Sequence, residues 1–127
     1  MSERTLHKAV CDYLRLNHPY ALFNSDLSGA TKLTLGQAVA LKSLRSGRGF
    51  PDLTIYEPSG TGKYSALFIE LKQDGTKLYT KSGHPATPHI KEQSEIIEQL
   101  NQRDYYATFG VGLDDCIKII ENYFNVL

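Results

Sequence analysis

Hydrophobic positions change their period several times along the chain, and each change marks an element. Leu6, Ala9, Val10, Tyr13 and Leu14 fall at i, i+3, i+4, i+7 and i+8, one face of a helix. Ser2 supplies an N-cap and His18-Pro19 a stop. Tyr20 to Phe23 reads as a short strand ending at Asn24, followed by a polar stretch from Ser25 to Lys32. Thr34 caps a second helix through about Arg45, and Ser46-Gly47-Arg48-Gly49 is a loop. Asp52 to Tyr56 and Ser65 to Lys72 are two strands joined by a turn at Pro58-Ser59-Gly60-Thr61-Gly62. Residues 73–87 are polar and rich in Gly, Thr and Pro, a long loop expected to be mobile and to close over a substrate, with Gly75 and Gly83 as hinges. Thr87-Pro88 is an N-cap and N1 pair for a helix to about Gln102. Tyr105 to Phe109 is a fourth strand, and Asp114 starts a last helix whose apolar stripe is Cys116, Ile117, Ile120, Tyr123 and Phe124. The expected order is α-β-α-β-β-α-β-α in one α/β domain spanning 1–127, without internal repeats.

Composition agrees with this picture. The chain has 127 residues, 41% hydrophobic and 22% charged, an ordinary globular balance with enough length for one buried core. No apolar run reaches the length of a membrane span, and charges at Glu3, Arg4 and Lys8 are unlike a secretory signal. Cys11 and Cys116 stand far apart without a CxxC, which argues against a disulfide framework or thiolate zinc site and for a reduced, cytoplasmic setting.

The zero net charge hides an asymmetry. Residues 1–91 hold 12 Lys/Arg against 7 Asp/Glu, whereas residues 92–127 hold 2 against 7. Between Asp26 and Asp52 there are Lys32, Lys42, Arg45 and Arg48 and no acid, the footprint either of a polyanion partner or of a solvated helix face. Arg48 is the foremost DNA-contact candidate, in a glycine-flanked loop four residues before Asp52, with Arg45, Lys42 and Asn24 beside it. In the 73–87 loop, Lys77, Tyr79 and Lys81 combine charge with an aromatic ring, as in grips on nucleic acid.

Three apparent motifs fail on inspection. Ser59-Gly60-Thr61-Gly62-Lys63 has Glu57 and Tyr64 where a phosphate-binding loop needs Gly and Ser or Thr. Gly110-Val111-Gly112 lacks the third glycine of a dinucleotide fingerprint, so no nucleotide cofactor is expected. His84 and His89 have no strong ligands near them in sequence and read as surface loop histidines.

The chemistry concentrates elsewhere. Alternation in the third strand puts Leu67, Ile69 and Leu71 on one face and Phe68, Glu70 and Lys72 on the other. If it pairs antiparallel with the strand that follows Pro51-Asp52, then Asp52, Glu70 and Lys72 converge. Two carboxylates and an amine at a strand end suit a hard cation and a positioned water. A purely structural ion-pair cluster is the competing reading. Pro51-Asp52 followed by Glu70-Leu71-Lys72 resembles the PD-(D/E)XK nuclease motif, and the element order, with a helix inserted between the first two strands, is similar to that restriction-endonuclease-like fold, a mixed central sheet flanked by helices.

More narrowly, Gly49 to Leu53, the Phe68-Ile69-Glu70-Leu71-Lys72 strand, Gln93 on the next helix and Glu3 on the first resemble the VRR-NUC (virus-type replication-repair nuclease) family over nearly the whole chain. The resemblance implies Mg²⁺ or Mn²⁺ on Asp52, Glu70 and the Leu71 carbonyl, with Lys72 orienting or activating the attacking water. Gln93 and Glu3 would complete the catalytic set. Gln93 otherwise reads as a helix-boundary amide bonded to backbone, and Glu3 as a carboxylate favoured by a helix N-terminus. The implied activity is metal-dependent endonucleolytic cleavage of branched DNA, four-way (Holliday) junctions in particular, in DNA repair, by a homodimer. A flap or nicked-duplex nuclease, or a non-catalytic nucleic-acid-binding protein on the same fold, are the alternatives.

Overall fold

The computed structural model describes residues 1–28 and 32–127. Positions 29–31, part of the polar stretch expected from Ser25 to Lys32, lie outside the described residues. The elements follow in the order α1 (Glu3–Asn17), β1 (Phe23–Ser25), α2 (Leu35–Ser43), β2 (Leu53–Ile55), β3 (Leu67–Lys72), α3 (Pro88–Asn101), β4 (Tyr106–Val111) and α4 (Leu113–Asn125). This is the expected order, and the caps explain where the helices start. Ser2 Oγ accepts from Thr5 N, Thr87 Oγ1 from Ile90 N, and Thr34 with Gln37 closes a reciprocal capping box.

The four strands form one mixed sheet in the order β1-β2-β3-β4. β1 and β2 are antiparallel, as are β2 and β3, while β3 and β4 run parallel with α3 as the crossover. Leu67, Ile69 and Leu71 point to the face covered by α1 and α4. There they pack with Leu6, Val10, Leu14, Cys116, Ile120 and Tyr123 in the main core. Tyr13 Oη and His18 Nε2 both reach Glu121 Oε1, at 2.6 and 2.7 Å, and tie the end of α1 to α4. α3 covers the opposite face, where β3 presents Glu70 and Lys72. Helices on both faces of a mixed sheet make the α/β class plain.

Several boundaries differ from expectation. The first strand lies at Phe23–Ser25 rather than Tyr20–Phe23, because only there does the backbone find a partner, Phe23 opposite Ile55 and Ser25 opposite Leu53. Tyr20 is 96% exposed outside the sheet. The second helix ends at Ser43 rather than Arg45, since Leu44 and Arg45 bond back to Leu41 and Lys42, three residues away, in a tightened last turn. β4 runs on to Val111, following its parallel pairing with β3 through Lys72. The 73–87 segment is no structureless loop: Ala86 N donates to Leu78 O at 2.8 Å and Thr80 N to His84 O at 2.8 Å. These bonds make a small hairpin, turned at Gly83 with its φ of +86°.

Among the described residues no helix is long and apolar enough to cross a membrane. The accessible surface, 7944 Å², exceeds the roughly 6,800 Å² expected for a chain of this mass. The excess has visible sources in the projecting 73–87 hairpin and in α2, none of whose residues is buried.

Candidate active site

The β2–β3 register decides the site. Leu53 lies opposite Ile69, so Asp52, one residue earlier, meets Glu70 one residue later on the neighbouring strand. Asp52 is fixed from two sides: its Oδ2 accepts from Leu71 N at 3.1 Å and lies 3.4 Å from His7 Nε2. Asp26 N donates to its carbonyl at 2.7 Å, which extends the β1–β2 pairing by one rung. Glu70, Lys72, Gln93 and His7 are 3%, 8%, 4% and 3% exposed, an unusual concentration of buried polar side chains at one strand end.

That burial has an electrostatic consequence. Desolvation, first of all, pushes the Glu70 carboxyl up to about 10; the neighbouring Asp52 carboxylate and Glu3 raise it further, and Lys72 opposes them. Without a counter-cation Glu70 therefore holds a proton at neutral pH. Gln93 Nε2 donates to Glu70 Oε1 at 2.8 Å and lies 3.2 Å from His89 Nε2, while Gln93 Oε1 is buried without a partner. Gly49 explains how α3 comes so close. With φ at +85°, its α-carbon lies where an added Cβ would sit 2.8 Å from Gln93 N and 2.9 Å from Gln93 Cα. Only glycine allows the Gly49-Phe50-Pro51 turn to lie directly on the helix that carries the glutamine.

The expected residues thus divide. Asp52, Glu70, Lys72 and Gln93 come together, and Glu3 is near enough for its charge to act on Glu70. The Leu71 amide is engaged by Asp52, and its carbonyl belongs to the same strand end. Arg48 lines a cleft of about 610 Å³ between the 46–50 loop and α3, facing Glu92 and Glu95 as well as Arg103. Arg45 is bound to Asp26 at 2.6 Å and to Ser28 Oγ at 3.0 Å, so the acid that opens the basic stretch neutralises one of its members. Lys42 is exposed on α2, and Lys77 and Lys81 on the 73–87 hairpin. Asn24 sits on β1, its Oδ1 accepting from Tyr56 Oη at 2.6 Å.

Two histidines were not legible as site residues. His89, expected as a surface loop residue, occupies the first turn of α3 one helical turn before Gln93, a spacing that could have flagged it. His7 gives a weaker signal, a polar residue between Leu6 and Val10 on the inward side of α1. Among the described residues no three His, Cys, Asp or Glu side chains gather into a metal cage, so any cation would depend on two carboxylates and backbone oxygen.

A mixed sheet with helices on both faces, and an aspartate and a Glu-x-Lys meeting at its strand ends, define a restriction-endonuclease-like α/β domain. A solved structure described as a VRR_NUC domain protein superposes on 97% of this chain and 88% of its own, with a TM-score of 0.68 at 26% identity. Over nearly its whole length the chain thus has the fold of a VRR-NUC domain, a nuclease-type fold. No protein-family model matches the chain, and no curated protein matches it.

Proposed function

We propose that the protein is a divalent-metal-dependent endodeoxyribonuclease that cuts branched DNA, four-way junctions in particular, as a homodimer. The observation that carries this reading is the pair of abutting carboxylates, Asp52 and buried Glu70, positioned at one strand end by the Leu71 amide and Gln93. A buried carboxyl forced to keep its proton is costly unless a cation relieves it. The donors, two carboxylates and the Leu71 carbonyl, are the oxygen set that Mg²⁺ or Mn²⁺ prefers. The orphaned Gln93 Oε1 is a further acceptor facing no protein donor.

When bound, such an ion supplies Lewis-acid stabilisation of the scissile phosphate and lowers the pKa of a coordinated water. His7 and the Leu71 amide hold the Asp52 carboxylate in one orientation, so no side-chain entropy is lost as substrate arrives. Gln93 Nε2 pins Glu70 Oε1 in the same way. Lys72, on the same face of β3 as Glu70, brings a buried ammonium to the reacting phosphate and offsets the charge that grows there. Arg48, Lys42, Lys77 and Lys81 are proposed to contact the DNA backbone with Asn24; Arg45 contributes less while Asp26 holds it.

The homodimer draws support from α2. Leu35 and Val39 on α2, with Leu44 just after it, are exposed, the helix's only charge is Lys42, and an apolar helix is stable against a partner rather than in water. Two copies related by a two-fold axis would present two sites to paired strands.

A digest of a four-way junction, a flap, a nicked duplex and a linear duplex, each with and without Mg²⁺, tests the reading. Junction cleavage that requires the ion is expected. Asp52→Ala and Glu70→Ala should abolish it while leaving DNA binding, and Lys72→Ala should slow it by about 10²–10⁴. Full activity in Asp52→Ala would remove the assignment of the site, and preferential cutting of the flap or nick would replace the substrate.

A further inference from the structure

A groove of about 860 Å³ lies away from the α3 side of the sheet, between α1 and the edge strand β1. That volume is within the range of roughly 300–1,000 Å³ typical of ligand sites. Its rim is a stripe of cations on α1, Arg4, Lys8 and Arg15, at intervals that place them along one side of the helix. Asp12 is the one acid there and pairs with both Lys8, at 3.1 Å, and Arg15, at 3.2 Å, so the rim keeps a positive excess. The floor is apolar and aromatic: Phe23 of β1 lies in it, with the Arg15 guanidinium 5.6 Å from its ring centre. At the inner end His7 Nδ1 is 2.6 Å from Ser25 Oγ, and His7 Nε2 is 3.4 Å from Asp52 Oδ2. One imidazole ring separates the groove from the candidate catalytic carboxylate.

We propose that this groove binds single-stranded nucleic acid and feeds its backbone toward Asp52. The inference deepens the nuclease reading and rests on it for direction, not for binding. Cations along a rim follow phosphates, and the Phe23 ring with the planar Arg15 guanidinium over it forms a platform on which an unpaired base stacks whatever its identity. A duplex offers only its phosphates to such a groove, because its bases are stacked on each other. A branch point supplies the unpaired stretch, and the groove would hold the arm that leads away from the cut.

The chain contains no tryptophan, so Phe23→Trp places a single indole on the floor, which excitation to the red of tyrosine absorption reads apart from the eight tyrosines. In EDTA, titration of this variant with a twelve-residue oligothymidylate should quench its emission to saturation, while a blunt duplex of equal length should leave it unchanged. In parallel, anisotropy of a labelled oligothymidylate with otherwise unaltered protein reads binding without the new side chain. There the Arg4→Ala/Lys8→Ala variant should bind about tenfold more weakly and lower the salt slope by about 0.7 per cation removed. Absent quenching, equal quenching by duplex, or unchanged affinity after removal of both cations would each overturn the groove. Mg²⁺-dependent cleavage by the same proteins separates the two claims. Cleavage without quenching removes the groove and leaves the nuclease, whereas quenching without cleavage removes the nuclease and leaves the groove.

Discussion

Glu70 is the residue at which sequence, burial and chemistry meet. Alternation in β3 turns it away from the Leu67–Ile69–Leu71 face, and the register with β2 sets Asp52 beside it. Its carboxyl, lifted to about 10, makes folding pH-dependent. A carboxyl whose folded pKa is above its unfolded value binds its proton more tightly when folded. Its stabilising contribution is complete below the ordinary carboxylate range and declines as pH rises from there through about 10. In EDTA the protein should therefore lose thermal stability between pH 5 and pH 9, roughly. Mg²⁺ should restore it at the alkaline end but not at the acid end, since the ion needs the ionised form. Glu70→Gln should flatten both dependences. Melting curves without substrate check this, and an unaltered slope in Glu70→Gln would mean that another group carries the titration.

At the scale of elements, the site depends on how closely the turn before β2 approaches α3. Gly49 and Gly62 both have positive φ, +85° and +80°, but only Gly49 has helix backbone where a Cβ would go. Gly62→Ala should cost only the left-handed backbone penalty, about 1 kcal/mol. Gly49→Ala should cost more, about 2–4 kcal/mol, by adding a clash that separates the turn from α3. It should also lower cleavage more than Gly62→Ala does, because Gln93 and Asp52 move apart with the two elements. Urea denaturation of the two variants, with cleavage rates measured well below their unfolding midpoints, gives the comparison. Equal costs would show that the turn yields without disturbing the helix.

For the whole molecule, the uneven charge of the sequence is distributed over separate surfaces. The acids of the last third include Glu92 and Glu95, which line the cleft with Arg48, and Glu121, which clamps α1 to α4. The cations of the first third are divided between the α1 groove and the α2 region. α2 itself packs against nothing deeply enough to bury a residue. Leu35→Asp/Val39→Asp should convert a dimer into a monomer in light scattering at micromolar concentration without changing the monomer's fold, because those side chains contribute little to its core. A wild-type chain that is already monomeric at high concentration would withdraw the homodimer and leave α2 to another role.

The element order, the caps at Ser2, Thr34 and Thr87, and the convergence of Asp52, Glu70 and Lys72 were determined by the sequence alone. All of them rest on short-range rules: a side chain reaching an amide three residues on, a period of 3.6 or 2, and a Gly-rich turn that forces antiparallel pairing. The resemblance to VRR-NUC domains was legible for the same reason, since its motif residues lie on neighbouring strands and one following helix. Other features depended on contacts between residues far apart in the chain, which no local pattern encodes. His7 and Asp52 stand 45 positions apart, and Asp26 and Arg45 are 19 apart. Their meeting is fixed by how α1 and the edge strand settle on the sheet. His89 becomes a neighbour of the active site through Gln93, one helical turn on, whose bond to Glu70 is the long-range contact. The 73–87 hairpin, mostly polar, has no hydrophobic period to announce it and is held by backbone bonds with a few from Thr80 and Thr76 hydroxyls. The groove between α1 and β1 is likewise a product of packing: the cations along one side of α1 look like a solvated helix face until the tertiary structure sets an aromatic strand beside them.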